Sequence, residues 1–193
     1  IDAQGRVSRM TPDYFNSNIT DAMTDYQGNT WFVSARQGVI KATVNPFRDL
    51  TSKYGHGEQV ANAVYASKDR LYIGYDSGLR IIGSDGSIID EPIVNELDGS
   101  RIRNISEDSE GNIWISTYGQ DGLVKYDPVS KTTKLFNESS AGINGSKFRF
   151  SMELSDGNVF AASATGISYI NNDTITHILS ADYGLDNPHI LCA

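Results

Sequence analysis

The sequence predicts an all-β fold made of four copies of one unit, because three landmarks recur along its 193 residues with one period. The first landmark is an aromatic residue, at Trp31, Tyr72, Trp114 and Phe160, with spacings of 41, 42 and 46 residues. The second is a glycine followed by an aliphatic residue, at Gly38, Gly78, Gly122 and Gly166. The third is a glycine between units, at Gly55, Gly99, Gly142 and Gly184. Units of about 40–45 residues that hold four short strands are the size of one β-propeller blade.

The third unit shows how the strands are assigned. Its predicted strands are residues 101–107, 112–117, 123–127 and 132–136. Asp108 opens the turn after the first strand, where its carboxylate accepts backbone hydrogen bonds, and Gly111 supplies the positive φ at the end of that turn. Trp114 is expected to fill the space between adjacent blades. The other units follow the same pattern, and no stretch shows a helical period.

The blade boundaries follow from the same landmarks. We expect full blades over residues 19–59, 60–100, 101–146 and 147–188, the end of a preceding blade over residues 1–18 and the first strand of a following blade over residues 189–193. The predicted fold is thus a β-propeller fragment of about four full four-stranded antiparallel blades, with partial blades at both ends. In the alternative, residues 5–10 and 189–193 share one closing blade and the chain forms a small ring. Open blade edges also predict self-association, because unpaired strand edges bind one another.

The composition argues against several classes of function. The formal net charge of −8 disfavours a nucleic-acid-binding protein and docking on anionic lipid, because both need a basic face. No apolar run reaches the roughly 20 residues of a membrane helix, so we expect no membrane contact by this stretch. The single cysteine, Cys192, excludes an internal disulfide, and we interpret it as a small apolar strand residue.

Two segments of the third unit resemble the repeat of the two-component regulator propeller family. They are ISEDSEGNIWIST at residues 105–117 and GLVKYD at residues 122–127. The linker YGLDNP at residues 183–188 is similar to the segment between blades in that family. The likeness extends over almost the whole chain and is weakest in the second unit, which has Ala66 where Asp is usual and no glycine in its turn. The fourth unit has Leu154 at the Asp position, so both turns are expected to differ in geometry.

The resemblance implies a function. Members of the family form the extracytoplasmic sensor region of bacterial membrane receptors, whose outputs are histidine kinases, diguanylate cyclases or phosphatases. On this basis the chain is expected to be a ligand-sensing propeller module, periplasmic or at the cell surface, with the output domain outside the present sequence. Two alternatives stay open. One is a propeller scaffold that docks a protein partner or dimerises without a small ligand, and the other is a propeller hydrolase or lyase.

The candidate ligand-binding residues lie in the loops between the second and third strands, on the propeller face where function concentrates. These loops carry aromatic, amide and charged side chains, a mixture that suits a carbohydrate or another small polar ligand. The loop candidates are Arg36, Tyr75, Asp76, Tyr118, Gln120 and Asp121. Arg103 and Arg149 share one repeat position, and on innermost strands they are predicted to face the central channel and bind an anion. The alternative for both arginines is ordinary pairing with neighbouring Asp or Glu residues.

The sequence shows no recognisable catalytic or metal-binding motif. Calcium loops need more carboxylates in series than the Asp108 turn contains, and His56, His177 and His189 are too widely spaced for a zinc motif. Motifs of the forms Gly-x-Ser-x-Gly and His-Glu-x-x-His are absent, as is a phosphate-binding glycine loop. We therefore expect no catalytic residue, no metal and no cofactor in this stretch.

Overall fold

The computed structural model describes residues 18–42, 59–139, 143, 145–180 and 184. The chain forms two compact units, residues 1–53 and residues 54–193. The partial blades predicted at both ends, Cys192 and the linkers around Gly55 and Gly142 lie outside the described residues. The predicted blade boundaries therefore stay predictions.

The first unit contains one antiparallel sheet in the order β1-β2-β3. Its strands are β1 (Ile19–Thr24), β2 (Thr30–Ser34) and β3 (Gly38–Ala42). In the turn between β1 and β2, the Asp25 carboxylate accepts hydrogen bonds from the backbone N–H of Asn29 and from the indole N–H of Trp31. The hydrogen bond from Trp31, followed by that from the Asn29 side-chain amide, holds the pKa of Asp25 well below its usual range.

The second unit contains three antiparallel sheets of four strands, each connected as a meander. The strands of the first of these sheets are β4 (Ala61–Ser67), β5 (Arg70–Tyr75), β6 (Gly78–Gly83) and β7 (Ile88–Ile89). Those of the next are β8 (Ile102–Glu107), β9 (Ile113–Thr117), β10 (Leu123–Asp127) and β11 (Thr132–Phe136). Those of the last are β12 (Phe148–Glu153), β13 (Val159–Ser163), β14 (Ile167–Asn171) and β15 (Thr174–Leu179). The prediction of an all-β chain of repeated antiparallel blades is confirmed.

The turn after the first strand of each repeat shows where the repeat pattern holds and where it changes. Gly28, Gly111 and Gly157 all have positive φ at the end of this turn, as predicted for Gly111. The fourth repeat keeps the turn although Leu154 replaces Asp, because the hydrogen bond from the Gly157 N–H to the Leu154 carbonyl (3.0 Å) is made by the backbone. In the second repeat the strands pair as far as Ser67 and Arg70, and Lys68 takes the left-handed conformation with φ of +51°.

The second repeat also contains a helix that the sequence pattern did not predict. The outer strand β7 has only two residues, and the short helix α1 (Pro92–Glu96) follows it. Pro92 stands in the first turn, where its missing N–H costs no hydrogen bond. Ile93 and Leu97 are both buried in the core. The search for a helical period did not find this helix, because a single turn is too short to show one.

The glycine that opens the third strand of each repeat is required by the backbone. Gly38, Gly78, Gly122 and Gly166 all have positive φ. A Cβ atom at Gly122 would collide with the carbonyl oxygen of Phe136 on the neighbouring strand, and one at Gly166 would collide with that of Leu179. In these two repeats the loop from the second strand passes directly over the outer strand, whereas a Cβ atom at Gly38 would meet open space.

The hydrophobic core of the second unit lies between successive sheets. Trp114 is 2% exposed and stacks on Phe136 of its own sheet, with the ring centroids 5.5 Å apart. The same cluster contains Phe148, Val159 and other residues of the following sheet. The predicted role of Trp114 between blades is thereby confirmed. Tyr72, at the same repeat position, is buried in the cluster between the preceding two sheets.

A buried carboxylate joins the first two sheets of the second unit. Glu91, 3% exposed, accepts hydrogen bonds from the guanidinium of Arg70 at 3.0 and 3.1 Å. It also accepts one from the Tyr126 hydroxyl of the next sheet at 2.5 Å, and Lys131 lies 3.7 Å away. Burial raises the pKa of Tyr126, and its hydrogen bond to Glu91 raises it further. Glu91 thus connects two sheets through charged and polar groups at the edge of their apolar interface.

Replacing Trp114 by Ala should lower the free energy of unfolding by roughly 3–5 kcal/mol, because it removes a large aromatic side chain from the core between sheets. Urea unfolding followed by circular dichroism measures this loss. Trp114→Phe should cost less, since it keeps a ring against Phe136 and loses mainly the indole hydrogen bond to Asp108. A Trp114→Ala protein as stable as the parent would contradict the packing described.

Glu91→Ala should lower the free energy of unfolding by about 3 kcal/mol, because it leaves the Arg70 guanidinium and the buried Tyr126 hydroxyl without their shared acceptor. The matched control is Glu96→Ala at the other end of the helix that Glu91 precedes, where an exposed carboxylate accepts one hydrogen bond from Thr133. This control should change the stability by less than about 0.5 kcal/mol. Equal effects of the two substitutions would rule out a special role for Glu91.

Candidate functional site

The candidate site lies at one end of the first strands of the repeats, which form one edge of each sheet. Every one of these strands has an irregularity in its pairing at the same repeat position. The residues at this position are Thr20 in the first unit and Asn62, Arg103 and Arg149 in the second. A bulge adds a residue to one strand and changes the direction of its side chain. The two arginines singled out from the sequence are therefore bulge residues.

A second repeat position lies beside the bulge, directly after the second strand. In the second unit its occupants are Asp76, Tyr118 and Ala164. Each donates its backbone N–H to the carbonyl of the residue two before the bulge, as Tyr118 does to Arg101 at 2.8 Å and Ala164 to Lys147 at 3.0 Å. The backbone thus holds the same two positions side by side in every blade, and the side chains at those positions decide the local chemistry.

In the first sheet of the second unit these positions form a compensated polar cluster. Asn62 donates a hydrogen bond to the Asp76 carboxylate at 2.8 Å, and Arg101 of the next repeat forms a salt bridge with it at 2.9 Å. The hydrogen bond from Asn62, followed by the charges of Arg101 and Arg103, lowers the pKa of Asp76. Asp76 and Arg101 therefore neutralise each other.

In the next two sheets the same positions form a cationic cluster around Tyr118. The guanidinium carbon of Arg149 lies 4.8 Å from the centroid of the Tyr118 ring, and that of Arg103 lies 5.4 Å from it. The amine of Lys147 is 5.5 Å from the same centroid. Arg149 also donates a long hydrogen bond, 3.4 Å, to the Tyr118 hydroxyl. We call Arg103, Tyr118, Lys147 and Arg149 the Tyr118 cluster.

The composition of the fourth repeat explains why two blades share one ring. Ala164 stands where Tyr118 stands in the third repeat, so Arg149 has no large side chain beside it in its own blade. It contacts the ring of the preceding blade instead. Asn104 fixes the distance between these blades, because its side-chain oxygen accepts hydrogen bonds from the backbone N–H (3.0 Å) and the hydroxyl (3.3 Å) of Ser151.

The cations of the Tyr118 cluster are not held in ion pairs within the described part of the chain. None of the carboxylates described there forms an ion pair with Arg103, Lys147 or Arg149. The Nε atoms of Arg103 and Arg149 are buried and have no hydrogen-bond partner. Cation–π contacts with one phenol ring are their principal described interactions, and such contacts contribute only about 0.5–2 kcal/mol.

An open cleft of about 520 Å³ adjoins the cluster, and Lys147 belongs to both. The cleft lies among the loops of the third and fourth repeats. Its lining residues are Gly119, Gln120, Glu138, Gly145, Ser146, Lys147, Ala164 and Thr165. Hydroxyl, amide and ammonium groups therefore face the same space.

The structure brings together some of the predicted ligand residues and separates others. Arg103, Tyr118 and Arg149 meet in the cluster, and Gln120 lines the cleft beside it. Asp76 pairs with Arg101, and the Asp121 carboxylate accepts a short hydrogen bond from the Ser100 hydroxyl. Tyr75 lines a separate cleft of about 290 Å³, where burial raises the pKa of its hydroxyl. Arg36 is exposed in the first unit.

Sequence reasoning missed Lys147, although a signal for it was present. Lys147 and Arg101 each precede a bulge arginine by two residues, and each contacts the residue after the second strand of the preceding repeat. No group of three or more His, Cys, Asp or Glu residues in the described ranges is placed to hold a metal ion. The described helix is also far shorter than a membrane-spanning one.

Comparison with known families identifies one segment of the chain. Residues 96–119 match the model of the two component regulator propeller family, which confirms the resemblance seen in the sequence. The match ends just after Tyr118 and includes Arg103 and Trp114. No curated protein matches the chain.

Solved structures with the same fold include extracellular domains from B. thetaiotaomicron. One, described as belonging to a hybrid two component system, is 19% identical with a TM-score of 0.60, and the match covers 98% of this chain and 28% of that one. A second such domain is 20% identical with a TM-score of 0.59, covering 94% and 25%. The chain thus spans about a quarter of the length of these domains.

Enzymes are also among the structures that share the fold. Virginiamycin B lyase from Staphylococcus aureus is 13% identical with a TM-score of 0.50, and the match covers 93% of this chain and 60% of the lyase. At these identities the likeness concerns the β-propeller fold and not the activity.

Proposed function

We propose that this chain, which carries a two-component regulator propeller repeat, is part of the extracytoplasmic ligand-sensing propeller of a bacterial transmembrane receptor. The family match over residues 96–119 supports this reading. The fold shared with extracellular domains described as parts of hybrid two component systems supports the extracytoplasmic location. The output domain would lie outside this sequence.

The observation that carries the proposal is the Tyr118 cluster, whose cations form no ion pair with a described carboxylate, beside an open cleft. One blade away, Asp76 and Arg101 pair their charges. At the Tyr118 cluster the same two backbone positions hold cations around an aromatic ring. Convergent polar groups at the edge of a concave surface are typical of a ligand-binding site.

The position of the cluster suggests how binding would reach the rest of a receptor. Arg103 and Lys147 come from different blades, and both lie against the ring of Tyr118. A ligand that contacts both residues would bind one arrangement of the two sheets more tightly than another. Such a difference in affinity between two conformations is what allows a ligand to shift the equilibrium between them. Binding chemistry is enough for this role, so we propose a non-catalytic module.

Docking of a protein partner is the alternative reading, and it makes a different prediction. A docking propeller would gain stability from association with a partner or a second copy and not from small solutes. Self-association through open sheet edges, predicted from the sequence, belongs to the same reading.

A thermal-shift screen with neutral oligosaccharides, amino acids and sugar acids should identify at least one class that raises the melting temperature of the chain. A ligand at 100 times its Kd stabilises the folded state by about 2.7 kcal/mol, which shifts the melting temperature by several degrees. Light scattering on the same samples should show an unchanged mass. Absence of any shift, together with a concentration-dependent dimer, would overturn the sensing proposal and favour docking.

The reading frame on both sides of the native coding sequence offers an independent check. A membrane helix and a kinase, cyclase or phosphatase domain in the same frame are the expected result. A frame that encodes a propeller without either would contradict the receptor assignment.

A further inference from the structure

We infer that the Tyr118 cluster binds the carboxylate or sulfate of a sugar that carries one negative charge, and that the adjoining cleft holds the sugar's hydroxyl groups. This inference deepens the proposed sensing function and rests on it for its biological meaning. The anion would lie between Arg103 and Arg149, with Lys147 at the entrance to the cleft.

The charge of the cluster is the first argument for an anion. Three cations lie within 5.5 Å of the centroid of one ring, so any two of them are at most about 11 Å apart, a distance comparable to the Debye length of about 8–10 Å, and they repel one another. The chain as a whole carries a formal charge of −8, yet no described carboxylate forms an ion pair with these three cations. A single anion placed among the three groups would convert mutual repulsion into attraction.

The guanidinium groups supply the second argument. The Nε–H groups of Arg103 and Arg149 are buried without an acceptor, an arrangement that proteins avoid because a buried donor loses its hydrogen bonds to water. A guanidinium matches the two oxygens of a carboxylate or sulfate with parallel donors. Two such groups around one aromatic face therefore favour a planar or tetrahedral oxyanion over a neutral solute.

The lining of the cleft defines the rest of the ligand. Gln120, Ser146 and Thr165 offer amide and hydroxyl groups that exchange hydrogen bonds with sugar hydroxyls. Glu138 lines the same cleft and would repel a second acidic group on the ligand. The site therefore selects one negative charge followed by neutral hydroxyls, and a polyanion is disfavoured both by Glu138 and by the net charge of the chain.

The test is isothermal titration calorimetry of the whole chain with three matched probes: D-glucuronate, D-glucose 6-sulfate and neutral D-glucose. We expect at least one of the two anionic probes to bind at least tenfold more tightly than glucose, with a Kd that rises as sodium chloride is added. The stronger anionic probe distinguishes a carboxylate site from a sulfate site. Equal binding of all three probes, or binding of glucose alone, would overturn the inference.

Variants locate the site. Arg149→Gln and Arg103→Gln should each weaken the stronger anionic probe at least tenfold, and Arg149→Lys should recover part of the loss because it keeps the charge. Lys134→Gln is the matched control, since Lys134 lies on the outer strand β11 and the substitution removes the same charge. It should leave the Kd within twofold of the parent value.

Two further measurements keep the outcomes separate. If an arginine variant melts cooperatively at a much lower temperature than the parent, the exposed Lys147→Gln takes its place, and unchanged anion binding by that variant would overturn the inference. If a neutral oligosaccharide of the thermal-shift screen binds while both anionic probes fail, the anion site is wrong and the sensing proposal stands. If no solute binds at all, both fail.

Discussion

Burial of sheet against sheet is the interaction on which the rest of this structure depends. A four-stranded sheet has two faces that must be buried, and a single sheet cannot bury them without a neighbour on each side. Trp114, Phe136 and Phe148 fill one interface, while Tyr72 and Tyr126 fill the preceding one. Because Tyr72 and Trp114 occupy the same repeat position, the two described interfaces of the second unit stack in one register. The first strands of neighbouring blades therefore lie beside one another with equivalent residues at equivalent heights.

The chemistry of the candidate site is a consequence of this register. Two positions, the bulge of the first strand and the residue after the second strand, lie close together in the three blades of the second unit, because the latter residue donates its backbone N–H to the carbonyl two residues before the bulge. Asn62 and Asp76 make these positions a neutralised pair with Arg101. Arg103 and Tyr118 make them the centre of a cationic cluster. The scaffold is common to both, and only the side chains differ.

Most of the fold could be predicted from the sequence, because the period, the turn residues and the aromatic positions are local signals. The helix at Pro92–Glu96 could not, since one turn buries only Ile93 and leaves no periodic pattern. Sequence reasoning found Arg103, Tyr118 and Arg149 because each is conspicuous at its repeat position. Sequence reasoning missed Lys147, and it also missed the contact of Arg149 with the ring of the preceding blade. These two contacts with Tyr118 depend on the distance between the sheets, which Asn104 and Ser151 fix.

Ala164 is the smallest side chain at its repeat position in the second unit. Its methyl group stands at a position where neighbouring repeats carry a carboxylate and a phenol, so the fourth blade contributes space where the others contribute a functional group. The space beside the Tyr118 cluster is therefore set partly by the size of one residue that itself makes no polar side-chain contact. In a repeat scaffold of this kind, recognition can diversify by exchanging one small side chain for a large one, while the backbone and the core remain as they are.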